Sequence, residues 1–107
     1  MPKRNDPVKV DLNSPVFQRN WVALDKTEAS RVLATVKKLL QMTWNQVYLD
    51  QGLKWEKITS VQPPRGIDAV YSLRITQARR ATVLRDGDYL RFLTIERDHD
   101  ATYKTKR

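Results

Sequence analysis

Cysteine is absent from the chain, which excludes disulfides and any zinc site built on thiolates. The single histidine, His99, cannot furnish the usual His/Cys zinc cage either. Neither a metal nor another cofactor is expected. No apolar run approaches the roughly eighteen residues of a membrane-spanning helix, and the basic start MPKRNDP leads into no hydrophobic core of a secretory signal. A membrane partner is therefore not expected, and the chain reads as cytoplasmic. Internal repeats and low-complexity segments are also missing.

What remains is a chain of 107 residues, the length of one domain with a modest core. We read residues 1–107 as that single domain, with 1–7 as a flexible arm and 104–107 as a basic tail. Twenty Lys and Arg face twelve Asp and Glu, a net charge of +8 that favours a polyanionic partner. The excess is evenly spread: residues 1–64 and 65–107 each hold ten basic and six acidic side chains. A basic disordered arm is not its main source.

Local patterns order the elements. Val8-Lys9-Val10-Asp11-Leu12 alternates as a short half-buried strand does. Ser14 followed by Pro15 is a helix start, with Phe17, Trp21 and Leu24 at helical spacing. Asp25 with Glu28 opens a second helix, whose stripe is Val32, Leu33, Val36, Leu39 and Leu40. Thr43 with Gln46 opens a short third helix that runs to a terminating Gly52. Residues 53–61 fit either an extended edge segment or a helical turn, and Gln62-Pro63-Pro64-Arg65-Gly66 is a break. Tyr71, Leu73 and Ile75 then share one strand face opposite Ser72, Arg74 and Thr76. Arg80 to Arg85 is a second strand, and Asp86-Gly87 reads as a type I′ hairpin. Tyr89 to Glu96 is a third strand, apolar on both faces and so expected to be central or well covered.

The order β-α-α-(short α)-β-β-β predicts an α+β fold: a small antiparallel sheet with the N-terminal helices packed on one face. The first strand would join at an edge, beside a partner distant in sequence. The other face would carry the arginines. Arg74, Arg79, Arg80, Arg85, Arg91 and Arg97 fall on these strands, followed by His99 and Tyr103. Arginine offers a planar fork that matches phosphate oxygens, and histidine is the ready proton carrier near neutral pH.

Three local patterns together resemble the RelE/ParE superfamily of bacterial toxins, in particular its RelE/YoeB branch. They are Tyr71-Ser72-Leu73-Arg74-Ile75 followed by Arg80, the Asp86-Gly87 hairpin, and Arg97-Asp98-His99 followed by Tyr103. The resemblance is sharp from about Tyr71 to Tyr103. It implies a metal-independent endoribonuclease that cleaves mRNA, typically on the ribosome, by attack of the RNA 2′-hydroxyl on the scissile phosphate. Arg80 and Arg97 would hold that phosphate and its growing charge. His99 would protonate the leaving 5′ oxygen, and Tyr103 would stack on a base, orient the 2′-hydroxyl or share the proton work. Glu56 would be the general base, with Lys57 in reserve. Lys57, Arg74, Arg79 and Arg91 would contact RNA. A cognate antitoxin would cover the arginine face with an acidic or amphipathic segment.

Each role has a bland counterpart. Arg80 could pair across the sheet with Asp86, Asp88 or Glu96, and Arg97 could cover the sheet edge with its stem. His99 could be a solvated loop residue, Tyr103 a packing cap and Glu56 a surface carboxylate. Trp21, Trp44 and Trp55 read as core rather than stacking platforms. Two further functions fit the same fold class: a ParE-like poison of DNA gyrase, and a non-catalytic basic module that binds RNA electrostatically.

Overall fold

The computed structural model describes residues 5–97 of the chain. His99, Tyr103 and the basic tail 104–107 lie outside the described residues. The elements run β1 (Lys9–Asp11), α1 (Pro15–Val22), α2 (Lys26–Leu40), α3 (Trp44–Leu49), β2 (Glu56–Ile58), β3 (Val70–Arg74), β4 (Arg79–Asp86) and β5 (Tyr89–Arg97). This is an α+β fold with helices against one face of a five-stranded sheet of order β1-β5-β4-β3-β2.

The helix starts follow the side-chain chemistry. Ser14 accepts from the Phe17 amide, Asp25 accepts from the Glu28 amide, and Thr43 and Gln46 form a reciprocal capping box. The far end of α3 departs from the expected glycine stop. Its cap is Asp50, whose Oδ1 accepts from the Leu53 amide at 2.8 Å and from Lys38 Nζ at 3.1 Å. Gly52 does not take a left-handed conformation there; Lys54 does, at φ 47°.

The segment left open between strand and helical turn, residues 53–61, contains the edge strand β2, antiparallel to β3. Three strand pairings are antiparallel, and β1 joins the opposite edge parallel to β5, its partner distant in sequence. The hairpin turn also differs from expectation. Asp86 pairs with Tyr89, so the central residues are Gly87 and Asp88, and only Gly87 has positive φ, at 64°. A glycine with positive φ at the first central position is the pattern of a type II′ turn, not I′. The arm expected over residues 1–7 is tied down at its end, where the Asp6 carbonyl accepts from the Trp44 amide and Pro7 bridges Thr43.

Phe17, Val32, Val36, Leu39, Trp44 and Val47 from the helices meet Leu73, Ala81, Val83, Leu90, Phe92 and Ile95 from the sheet in one core. Trp44 is fully buried, and Trp55 stacks on Tyr71 with centroids 4.6 Å apart, so neither offers a free stacking platform. Burial pushes the Tyr71 phenol above its ordinary value.

The apolar character of both faces of β5 has a local cause. The register slips between Thr82 and Val83, where Thr82 pairs with Thr94 but Val83 pairs with Phe92, leaving Leu93 as an extra residue. This bulge reverses the side-chain alternation. Phe92 and Ile95 both reach the core, while Thr94 and Glu96 turn to the opposite face. Polar side chains of the first helical segment clamp the bulge: Ser14 Oγ donates to the Leu93 carbonyl at 3.3 Å, and Asn20 Oδ1 accepts from the Ile95 amide at 2.9 Å.

Two outcomes follow for stability. Asn20→Ala leaves the half-buried Ile95 amide without its acceptor and is expected to cost about 1–2 kcal/mol in chemical denaturation. Partial burial opposes the charge on Asp50, but the Leu53 amide and Lys38 outweigh it and hold the carboxyl below its ordinary value of 3.8. The unfolded chain then binds the proton more readily than the folded one. The stabilisation is complete above that value and fades as pH falls through the lower folded value. Asp50→Asn is expected to flatten the acid side of a stability profile recorded by thermal unfolding.

Candidate functional site

A pocket of about 400 Å³ opens on the sheet face turned away from the core. Its walls are Glu56, Lys57 and Ile58 of β2, Ser60 and Val61 beyond it, Ser72 of β3, Arg80 and Thr82 of β4, and Glu96 and Arg97 of β5. Register and strand alternation put two neighbouring rows on this face: Glu56, Ser72, Thr82 and Thr94 across four strands, and Arg74, Arg80 and Glu96 beside it. Beyond β2, the chain turns at Pro64, Arg65 and Gly66. Ile67 N donates to the Pro64 carbonyl at 3.0 Å, and Gly66, at φ 84°, supplies the left-handed position this turn requires.

Arg80 lies at the centre. Its Nη2 donates to Ser72 Oγ and lies 3.7 Å from Glu56 Oε2. Its Nε is buried and has no hydrogen-bond partner among the described residues. Of the ion pairs weighed from sequence, none with Asp86, Asp88 or Glu96 forms; among the described residues the carboxylate partner is Glu56, from the edge strand. A guanidinium fixed by one hydroxyl and one edge carboxylate, with a donor unsatisfied, is suited to an anion with several oxygens. Beside it runs a chain of hydroxyls. Thr94 Oγ1 donates to Glu96 Oε2 at 2.7 Å, and Thr82 Oγ1 lies 2.6 Å from Thr94 Oγ1. Because the Thr94 proton points to Glu96, Thr82 is the donor of the second bond.

The structure thus brings together Arg80, Arg97, Glu56 and Lys57 of the residues singled out from sequence. Arg74 is the register partner of Arg80 on β3. Two others are elsewhere. Arg79 turns to the helices, where Nε and Nη2 hold both oxygens of Glu28 at 3.0 and 3.1 Å; that bond keeps its guanidinium above its ordinary value. Arg91 lies toward the hairpin end, 2.8 Å from Asp11 and 3.7 Å from Asp86. The Asn13 amide and Arg91 together hold the Asp11 carboxyl below its ordinary value. Arg85 lies over the buried Trp44 ring at 4.1 Å and donates to Tyr48. The sheet face expected to be a continuous arginine surface is therefore mixed. It carries Arg80 among hydroxyls and carboxylates, and Val70 and Leu84 are buried on it.

Ser72, Thr82, Thr94 and Glu96 were not singled out as site residues from the sequence. Ser72 shares the Arg74 face by simple alternation, a signal that was legible. Thr94 and Glu96 reach that face through the bulge, which no turn residue announces. Among the described residues, no group of three or more metal-ligating side chains occurs, and no helix is long and apolar enough to cross a membrane.

No protein-family model and no curated relative matches the chain. Solved structures do. A RelE–RelB complex from the archaeon Pyrococcus horikoshii matches over 85% of this chain and 94% of its own, at 14% identity and a TM-score of 0.61. The YoeB dimer from Staphylococcus aureus matches over 87% and 99%, at 15% identity and a TM-score of 0.53. A copper-bound mutant toxin from Helicobacter pylori matches over 88% and 97%, at 16% identity and a TM-score of 0.51. The layered α+β sheet is thus that of a known class of small proteins. The chain has the fold of the RelE/YoeB-type toxins.

The pocket and the Arg91 pair are separable in solution. Arg80→Ala is expected to weaken binding of a fluorescently labelled polyphosphate about tenfold or more, the loss of a charge-assisted contact of roughly 1.5–3 kcal/mol. Arg91→Ala is expected to change it by less than about twofold, because two carboxylates already engage that side chain. Fluorescence anisotropy at fixed ionic strength reads both.

Proposed function

We propose that this protein is the toxin of a toxin–antitoxin pair and acts as a metal-independent endoribonuclease on mRNA, on the ribosome and in the cytoplasm. The observation that carries the reading is the buried Nε of Arg80, which has no hydrogen-bond partner among the described residues, in a pocket that also holds Arg97, Lys57 and two carboxylates. The fold shared with RelE and YoeB supports it, and the partner named in the RelE–RelB complex supports a cognate antitoxin.

The chemistry demands little of the protein. RNA brings its own nucleophile, the 2′-hydroxyl. Arg80 and Arg97 neutralise the charge that develops on the phosphoryl oxygens, a contribution of roughly 10²–10³-fold per well-aimed donor. A carboxylate of the pocket takes the 2′ proton. The sequence offers His99 to protonate the 5′ oxygen and Tyr103 to assist. The products are a 2′,3′-cyclic phosphate and a 5′-hydroxyl end.

Induced expression in a bacterial host, following growth and the 5′ ends of cellular mRNA together, tests this reading. Wild type is expected to arrest growth and produce new 5′-hydroxyl ends, and both effects are expected to vanish in Arg80→Ala and His99→Ala. Arrest without new ends would point to gyrase poisoning instead. RNA binding with neither arrest nor cleavage would leave a basic binding module.

A further inference from the structure

The pocket holds two exposed carboxylates with different partners, and the difference separates their work. Glu56 sits on the edge strand β2, its side chain 58% exposed, with Oε2 3.7 Å from Arg80 Nη2. Glu96 sits directly across from Arg80 on β5, at a separation of about 5 Å between Cβ atoms for such a pair. Despite that closeness, Glu96 forms no ion pair with Arg80; its Oε2 takes the Thr94 hydroxyl at 2.7 Å. Thr94 is in turn held by Thr82 at 2.6 Å. The other carboxylate oxygen, Glu96 Oε1, has no hydrogen-bond partner among the described residues.

Resting on the ribonuclease reading, we infer that Glu96, set by the Thr82–Thr94 hydroxyl chain, is the general base of the reaction, and that Glu56 is the counter-ion of Arg80 in the empty site. A phosphate that settles on Arg80 meets Glu56 as a like charge competing for the same guanidinium. Glu56, at an exposed edge, can swing away. Glu96 does not have to move. It stands one strand from the phosphate site, oriented by a hydrogen bond that leaves one oxygen available, which is the geometry a base needs before its proton pKa matters.

In the step itself the P–O2′ bond forms and the P–O5′ bond breaks. The 2′ proton passes to Glu96 Oε1, and the departing 5′ oxygen takes a proton from the acid of the site. Among the described residues the Thr94 hydroxyl bonds Glu96 and Thr82, so Thr94 is a positioning residue. The charged groups lining the same pocket are Glu56 and Lys57 of β2, Arg80 of β4 and Arg97 of β5.

The test is the rate at which purified protein generates 5′-hydroxyl ends in ribosome-bound mRNA, recorded against pH and mRNA concentration. Far-UV circular dichroism checks each variant's fold. Glu96→Gln is expected to lower kcat roughly 10²–10⁴-fold, the range for a positioned proton acceptor, and to remove the fall in rate on the acid side. Glu56→Gln is expected to act on substrate capture, lowering KM severalfold. Thr94→Val is expected to lower kcat about tenfold and displace the acid side of the profile, and Thr94→Ser is expected to restore both, which a packing role for the threonine would not predict. The assignment is overturned if Glu96→Gln keeps kcat within about threefold of wild type, or if Glu56→Gln is the variant that loses the acid side. A wild type that cuts no mRNA removes the ribonuclease reading itself, an outcome visible before any variant is made.

Discussion

One extra residue in β5 decides what the sheet can do. Leu93 has no partner on β4, and from that point the alternation of the strand is reversed. Without the reversal, Thr94 and Glu96 would face the helices and Ile95 would face the pocket. With it, Ile95 joins Phe17 and Phe92 in the core, and the Thr82–Thr94–Glu96 chain lies beside Arg80. The bulge is held by Ser14 and Asn20, and Ser14 also caps α1. Helix start, strand defect and pocket wall are thus tied through two side chains. Bulges commonly sit beside functional sites because they aim side chains that regular pleating would misdirect.

Much of this fold was legible because local chemistry and global packing agree. Ser14, Asp25 and Thr43 cap the helices they announce, and the stripe of α2 goes to the core at Val32, Val36 and Leu39. Residues 53–61 were not legible, since a three-residue edge strand such as Glu56–Ile58 carries too little alternation to beat a helical turn. The hairpin was placed correctly but its turn was shifted by one residue, because Asp-Gly and Gly-Asp both satisfy local turn chemistry. Only the pairing of Asp86 with Tyr89 settles which two residues are central. At the site, the arginine run read as one surface. The partners that divide it, Glu28 for Arg79, Trp44 for Arg85 and Asp11 for Arg91, come from elements far along the chain. Spacing on a strand cannot reveal them.

The pocket is less basic than the chain. A net charge of +8 brings a polyanion near, but in the pocket Arg80, Arg97 and Lys57 stand among two carboxylates and the hydroxyls of Ser72 and Thr82. That composition suits proton movement beside a held phosphate better than simple electrostatic attachment, which gains from every additional cation and loses from every anion. The fold alone does not separate those uses, because one scaffold can carry a nuclease, a poison of another enzyme or a binder.

The chemistry of the cut ends tests the central claim most directly. Purified wild-type protein is incubated with ribosome-bound mRNA, and the termini of the fragments are identified by mass spectrometry. Attack by the 2′-hydroxyl predicts 5′-hydroxyl ends paired with 2′,3′-cyclic phosphate or its 3′-phosphate hydrolysis product. Fragments with 5′-phosphate ends, or mRNA bound and left whole, would contradict the account.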